Sequence, residues 1–221
     1  MAVAASIRRR IFQLVASPFS GSVQSPPGRD VGSAPQELLI HETASNAMIV
    51  RKAGHNDAEG ICRVQSAAIR QLCASHYSPA EIEAWAGPVE PNWYRNVIGI
   101  RELFVAVEGE TIIGFAQLNL DTAEVDAIYV HPAAARRGVG SALLRRLEDV
   151  ARQHDLASLH VAASLNSVPF YKSSGFHGQR HTKFPILPGV EIASLVMEKA
   201  LEPHEKAASN SDERSCCQGY T

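Results

Sequence analysis

The chain has little cysteine, no long hydrophobic run and almost no net charge, and each shortage removes a class of protein. Its 221 residues carry a formal net charge of −2, so no basic field is present to hold a nucleic acid. No apolar run approaches the roughly 18 residues needed to cross a bilayer, so no membrane partner is expected. The four cysteines, Cys62, Cys73, Cys216 and Cys217, form neither a CxxC pair nor a zinc spacing. They argue against a disulfide framework and fit a reducing compartment, with Cys62 and Cys73 read as small core thiols. His177 and His181 stand four apart, but on a segment that reads as strand and with no third ligand in view, so no metal is expected. The Gly-Lys-Ser/Thr ending of a P-loop is absent, as is the third glycine of a dinucleotide-binding fingerprint. What remains is an ordinary globular composition, 45% hydrophobic and 20% charged, long enough for one domain of about 150 residues plus tails.

The two ends differ from the middle. Met1 to Arg29 holds no Asp or Glu but carries Arg8, Arg9, Arg10 and Arg29, with Ile7, Ile11, Leu14 and Val15 on one helical face. This resembles an organelle transit peptide. The prolines and glycines around Ser25 to Gly28 and Gly32 to Pro35 read as linker. The competing reading starts the working protein at Met48. The expected location is therefore cytoplasmic if the source is bacterial, and mitochondrial or plastid if it is eukaryotic. The polar stretch Glu202 to Thr221 is expected to be a disordered tail. The domain boundaries expected from this are 1–47, 48–201 and 202–221.

Between the ends, strands and helices alternate. Met48 to Arg51 reads as a strand. Asn56-Asp-Ala-Glu59 reads as an N-cap followed three residues later by Glu, opening a helix with Ile61, Val64, Ala68 and Leu72 on one face. Ser78-Pro-Ala-Glu81 starts a shorter helix, which Gly87 and Pro88 end, and Trp93 to Ile98 reads as another turn or two. Leu103 to Val107 and Thr111 to Leu120 form a hairpin across Glu108-Gly-Glu110. Glu124 to His131 is the next strand. Gly138 to His154 is a helix with Val139, Leu143, Leu147 and Val150 on one face, and Leu159 to Ala163 is a strand. Asn166 is placed to cap a short helix through Tyr171, with Gly175 as its C′ residue. His181 to Leu187 and Glu191 to Met197 close the domain around Pro188-Gly189. A meander, a β-α-β-α unit and a final hairpin make an α/β or α+β three-layer sandwich.

One junction carries chemistry. The strand Val125-Asp-Ala-Ile-Tyr-Val-His-Pro132 runs into Arg136-Arg-Gly-Val-Gly-Ser141, which opens a helix. Such a turn aims several backbone N–H groups and a helix N-terminus at one point, a ready seat for a phosphate. Gly138 and Gly140 permit close backbone approach there. Glu124 and Asp126, two apart on one strand, point to the same side and mark a wet cleft rather than core.

The strand Glu124 to Pro132, the loop Arg136 to Ser141 and the stretch Asn166-Ser-Val-Pro-Phe-Tyr-Lys-Ser-Ser-Gly-Phe176 together resemble the GNAT family of acetyl-CoA-dependent N-acetyltransferases. The resemblance covers about Met48 to Leu201. It departs at Ala135, where the family has Gln or Arg two residues before the first glycine position's neighbour, that is, three before Gly138. It implies a GNAT-type sandwich with a mixed, mostly antiparallel sheet of six to seven strands and helices on both faces. It implies acetyl-CoA as cosubstrate and no metal. It places the pyrophosphate on amides from Arg136, Arg137, Gly138, Val139, Gly140 and Ser141, and the pantetheine arm along Ile128, Tyr129 and Val130 with Asn166. It makes Tyr171 the group that protonates or hydrogen-bonds the leaving thiolate, and Glu124 the base. The resemblance implies as acceptor a primary amine of a small molecule or peptide, attacking in a ternary complex. The loop Cys73 to Ser78 with Trp85 is the expected substrate wall, through His76, Tyr77 and Trp85. The fold often dimerises, so a homodimer is compatible with it. The alternative function is a non-catalytic acyl-CoA-binding module, which Ala135 keeps open; larger acyl groups and protein lysines are further variants.

Overall fold

The structure is a computed structural model and describes residues 47–87 and 89–202. The leader-like segment, the linker prolines, Pro88, the Cys216–Cys217 pair and the polar tail lie outside the described residues.

Seven strands form one sheet: β1 (Ile49–Lys52), β2 (Glu102–Glu108), β3 (Thr111–Asn119), β4 (Glu124–Val130), β5 (Ser158–Ser164), β6 (His177–Leu187) and β7 (Val190–Ala200). Their spatial order is β1-β2-β3-β4-β5-β7-β6, and every neighbouring pair is antiparallel except β4 with β5. The helices are α1 (Ala58–Leu72), α2 (Pro79–Ala86), α3 (Pro91–Val97), α4 (Val139–Gln153) and α5 (Val168–Ser173). The layered, mostly antiparallel α/β architecture expected from the sequence is the one observed.

The layers follow from side-chain periodicity. In β2, Phe104 and Ala106 turn to one face, where they meet Val139, Leu143, Leu147 and Val150 of α4. Leu103, Val105 and Val107 turn to the other, where they meet Ile61 and Val64 of α1 and Tyr94 and Val97 of α3. A strand covered on both faces reads as an unbroken apolar run, which is why Leu103 to Val107 shows no alternation. The four α4 residues named by periodicity are all buried.

Local signals held unevenly. Ser78 caps α2 as expected: its hydroxyl accepts from the Glu81 amide, and the Glu81 carboxylate accepts from the Ser78 amide at 2.8 Å. Asn56 caps nothing. It lies in a 3-10 turn, His55–Asp57, and the reciprocal contact there is made by Asp57, whose carboxylate accepts from the Gly54 amide at 2.8 Å and from Arg51 at 2.7 and 2.8 Å. The Arg51 guanidinium holds the Asp57 carboxyl below its usual range. Asn166 likewise caps nothing, since it falls inside a 3-10 turn, Leu165–Ser167. Leu72 is the one member of the α1 stripe left exposed. The last two strands are longer than their apolar cores, because β6 is an edge strand whose first residues, such as His177 and Arg180, face solvent.

An irregularity in β4 positions the site. Ala127 pairs with Gln117 but Val125 pairs with Leu118, so Asp126 is an extra residue, a β-bulge. Strict alternation would put Glu124, Asp126, Ile128 and Val130 on one face. The bulge divides them. Val125, Ile128 and Val130 pack on the α4 face, while Ala127 and Tyr129 pack on the α1–α3 face. Asp126 turns to that second face and accepts from Gln117 Nε2 at 2.8 Å.

Candidate active site

Parallel strands β4 and β5 stay paired only at Glu124 with His160, then splay. A cavity of about 190 Å³ opens where they part. The His131 amide donates to Ile113 in β3 at 2.8 Å. Because successive residues of a strand turn their backbone groups to opposite neighbours, Tyr129 also faces β3, and Ile128 and Val130 present theirs to the gap. The backbone edge open to the gap is therefore at Ile128 and Val130. Tyr129 has a different place: its ring stacks on Phe115 at 5.3 Å and stands edge-on to Trp85 at 6.4 Å, lining the cavity from the α1–α3 side.

At the far end of the gap the chain turns through Pro132–Ala134 into α4. Arg136 and Gly138 have positive φ, +63° and +82°. A side chain at Gly138 would touch nothing, so its conformation rather than space selects glycine. Gly140 has an ordinary φ and packs close to α5, where a Cβ would just touch the Phe170 ring at 3.4 Å. The first helical bond of α4 is from the Ala142 amide to Gly138, and the amides from Arg136 to Ser141 reach no backbone acceptor among the described residues. No side chain caps this terminus, and no acid occupies its first turn. An uncapped helix start with a run of unspent donors is an anion seat. The Val139 side chain is buried, so only its amide is available. Arg137 is paired with Glu108, while Arg136 has no ion-pair partner among the described residues.

Asn166 and Tyr171 line the cavity from the β5 side. The Cys73 thiol donates to Asn166 Oδ1 at 3.4 Å, which leaves the Asn166 amide NH₂ unengaged among the described residues. Burial pushes the Cys73 thiol up to about 11, so this cysteine stays protonated. Tyr171 packs edge-on between Phe170 and Phe176, and its hydroxyl bonds no protein group among the described residues. Burial, with a smaller push from Tyr129, holds that hydroxyl far above the usual phenol range. It is a donor at every working pH.

Glu124 lines the same cavity and has no hydrogen-bond partner among the described residues. Burial and the neighbouring Asp126 charge push its carboxyl up to about 7. Asp126 differs. Besides Gln117 it faces Arg101, whose Nε stands 3.8 Å away, and Arg101 also reaches Asp121 at 3.4 Å. One carboxylate is thus held and its neighbour is left to exchange protons.

The substrate wall is only partly the expected one. Trp85 lines the cavity; His76 and Tyr77 do not. Tyr77 is a strut, donating to Ala193 at 2.7 Å and accepting from the Leu165 amide at 2.8 Å. The sequence reading missed Gln65, Trp93, Tyr94, Arg101 and Gln117. Two of these had a signal. Gln65 stands four residues after Ile61 on the buried stripe of α1, and Gln117 interrupts the apolar run of β3. Tyr94 donates to Gln65 Oε1 across the floor of the cavity.

Comparison with known proteins places the fold among acetyltransferases. A family model described as an acetyltransferase (GNAT) domain matches residues 73–184. An uncharacterised N-acetyltransferase of Escherichia coli, YafP, is 30% identical over 131 residues, which is 59% of this chain and 82% of that protein. A GCN5-related N-acetyltransferase from Rhodopseudomonas palustris superposes with a TM-score of 0.65 at 28% identity, covering 69% of this chain and 95% of that one. The PaiA N-acetyltransferase of Thermoplasma acidophilum, solved with coenzyme A, shares the fold with a TM-score of 0.60 at 22% identity, covering 70% of this chain and 99% of that one.

Proposed function

This chain belongs to the GNAT acetyltransferase family, and from that premise we propose that it transfers an acetyl group from acetyl-CoA to a primary amine, through a domain spanning residues 48–201. The observation that carries the proposal is the gap between β4 and β5, with unspent α4 amides at one end and an unpaired carboxyl, Glu124, at the other.

In this reading the diphosphate of acetyl-CoA lies on the amides of Gly138 to Ser141, where the helix terminus favours negative charge. Arg136 adds charge where the loop carries Ala135 in place of a longer polar residue. The pantetheine arm lies against Ile128 and Val130 as an added strand would, with the free NH₂ of Asn166 reaching one of its amides. The coenzyme A bound by the Thermoplasma acidophilum neighbour supports this choice of cosubstrate. A backbone N–H on this edge polarises the thioester carbonyl.

The acceptor arrives as an ammonium. Glu124, ionised above about 7, takes one proton, directly or through water. The freed amine attacks the carbonyl carbon, the C–N bond forms and the C–S bond breaks. The sulfur leaves with the electron pair, and the second nitrogen proton ends on it. The Tyr171 hydroxyl donates the hydrogen bond that stabilises the thiolate; a phenol held so high does not surrender its proton outright. Orientation of the two substrates and carbonyl polarisation supply most of the rate, and no covalent enzyme intermediate is needed.

The test is a thiol-release assay with acetyl-CoA across amine classes, run beside acetyl-CoA-dependent thermal stabilisation. Stabilisation with amine-dependent release supports the transferase. Stabilisation with no release from any amine would point to the binding-module alternative.

A further inference from the structure

We propose that the acceptor is a small amine carried on an apolar, ring-sized body and bearing no anionic group. The inference rests on the acetyl-transfer reading and deepens it.

The charge inventory of the cavity is one-sided. Among the described residues that line it there is no Lys, Arg or His, and the charged groups are Glu124 and Asp126. Arg101 and Gln117 already face Asp126, so Glu124 is the carboxylate left for an ammonium. Most of the rest of the acceptor side is aromatic or aliphatic; Gln65 and Gln117, which also line it, are engaged by Tyr94 and Asp126. Trp85 comes from α2 and Trp93 from α3, Tyr129 from β4, and Phe184 and Ile186 from β6, with Leu72 from the end of α1 at the rim.

An ammonium on Glu124 therefore places the remainder of the acceptor against ring faces and methyl groups. An α-carboxylate on that acceptor would lie near Glu124 and Asp126. Arg101, beside Asp126, is already shared between Asp126 and Asp121, and no cation lines the cavity itself among the described residues, so the added charge is left unpaired and is heavily disfavoured. Free amino acids are poor candidates on this ground. The cavity, about 190 Å³ and shared with the end of the pantetheine arm, also limits the acceptor to a compact body. Flat side chains on several walls select a ring through apolar burial and edge contacts.

The experiment compares 2-phenylethylamine with phenylalanine, which adds only the carboxylate, using the full chain and acetyl-CoA and reading thiol release. The expected kcat/KM is roughly tenfold or more higher for the amine lacking the carboxylate. Leu72→Lys places a cation at the rim, at a position already 37% exposed, where the fold tolerates it. That variant should raise the phenylalanine-to-phenylethylamine ratio about fivefold or more, since an unpaired anion gains a partner. Phenylalanine acetylated as well as phenylethylamine overturns the inference and leaves acetyl transfer standing. A ratio unmoved by Leu72→Lys also overturns it. Release with other amines but not with phenylethylamine overturns it as well. If no amine gives release and acetyl-CoA gives no thermal stabilisation, the inference and the transferase reading fall together.

Discussion

The two sides of the cleft are made of different material. The proposed cofactor side is mostly main chain: the open edge of β4 at Ile128 and Val130, and the amides at the start of α4. The proposed acceptor side is mostly side chain: Glu124, Trp85, Trp93, Tyr129 and Phe184, brought together from four separate elements. A backbone site tolerates change in the residues that build it, provided the conformation survives. A side-chain site changes its chemistry with each substitution. The contrast explains how one fold keeps a single cosubstrate while its acceptor varies.

Substitutions on the acceptor side should strike turnover, and those on the cofactor side should strike binding. Glu124→Gln should have the largest effect, lowering kcat/KM for a protonated amine about a hundredfold at pH 8 while acetyl-CoA affinity changes little. The wild-type rate should climb as pH rises through about 7, because only the ionised carboxyl accepts a proton; the Gln variant should lack that inflection. Full activity in Glu124→Gln would move the base elsewhere. Tyr171→Phe should come next, with turnover down about tenfold and KM for acetyl-CoA little changed, since the hydroxyl is asked to act only when the thiolate forms. Equal loss in binding and turnover would assign Tyr171 to the structure rather than to the step.

Gly138→Val probes the other side. A β-branched residue at φ +82° is strained by roughly 1–2 kcal/mol, and the turn should relax away from the geometry that aims its amides. Acetyl-CoA affinity should fall about tenfold and the ligand's thermal stabilisation should shrink accordingly, with the domain still folded. The smallest effect is on stability. Glu124 has a folded value near 7 and an unfolded value of 4.5, so the folded state binds the extra proton between them. Stability on its account is present below pH 4.5 and is lost as pH rises towards 7 and above. Glu124→Gln should therefore be more stable than wild type at pH 8, by about 1–2 kcal/mol, the site being open enough to solvent to reduce the full linkage value. A less active but more stable variant is the expected signature of a carboxyl kept in place for its chemistry.

The same contrast governs what could be read from the sequence. The cofactor side is local in the chain. A strand, a glycine turn and an amphipathic helix follow one another between Glu124 and Gln153, so residue spacing carried it. The α4 stripe and the Ser78–Glu81 cap were legible for the same reason. The acceptor side gathers residues from α1 to β6, and no spacing rule joins Gln65 to Phe184. The bulge at Asp126 was equally hidden: strict alternation gives Glu124 and Ile128 a common face, and only the pairing with β3 separates them. Tyr77 misled because a buried tyrosine bridging Ala193 and Leu165 has the same one-dimensional appearance as one in a pocket. Arg101 gave no sign at all, since its role depends on a neighbour, Asp126, that the bulge turns towards it.

The most direct measurement is a crystal structure of the full chain with acetyl-CoA. The diphosphate oxygens should lie about 3 Å from the amides of Gly138 to Ser141, with the pantetheine arm between β4 and β5 and the thioester near Tyr171. A diphosphate bound away from the α4 terminus, or an arm that leaves the gap empty, would contradict a cofactor side made of main chain.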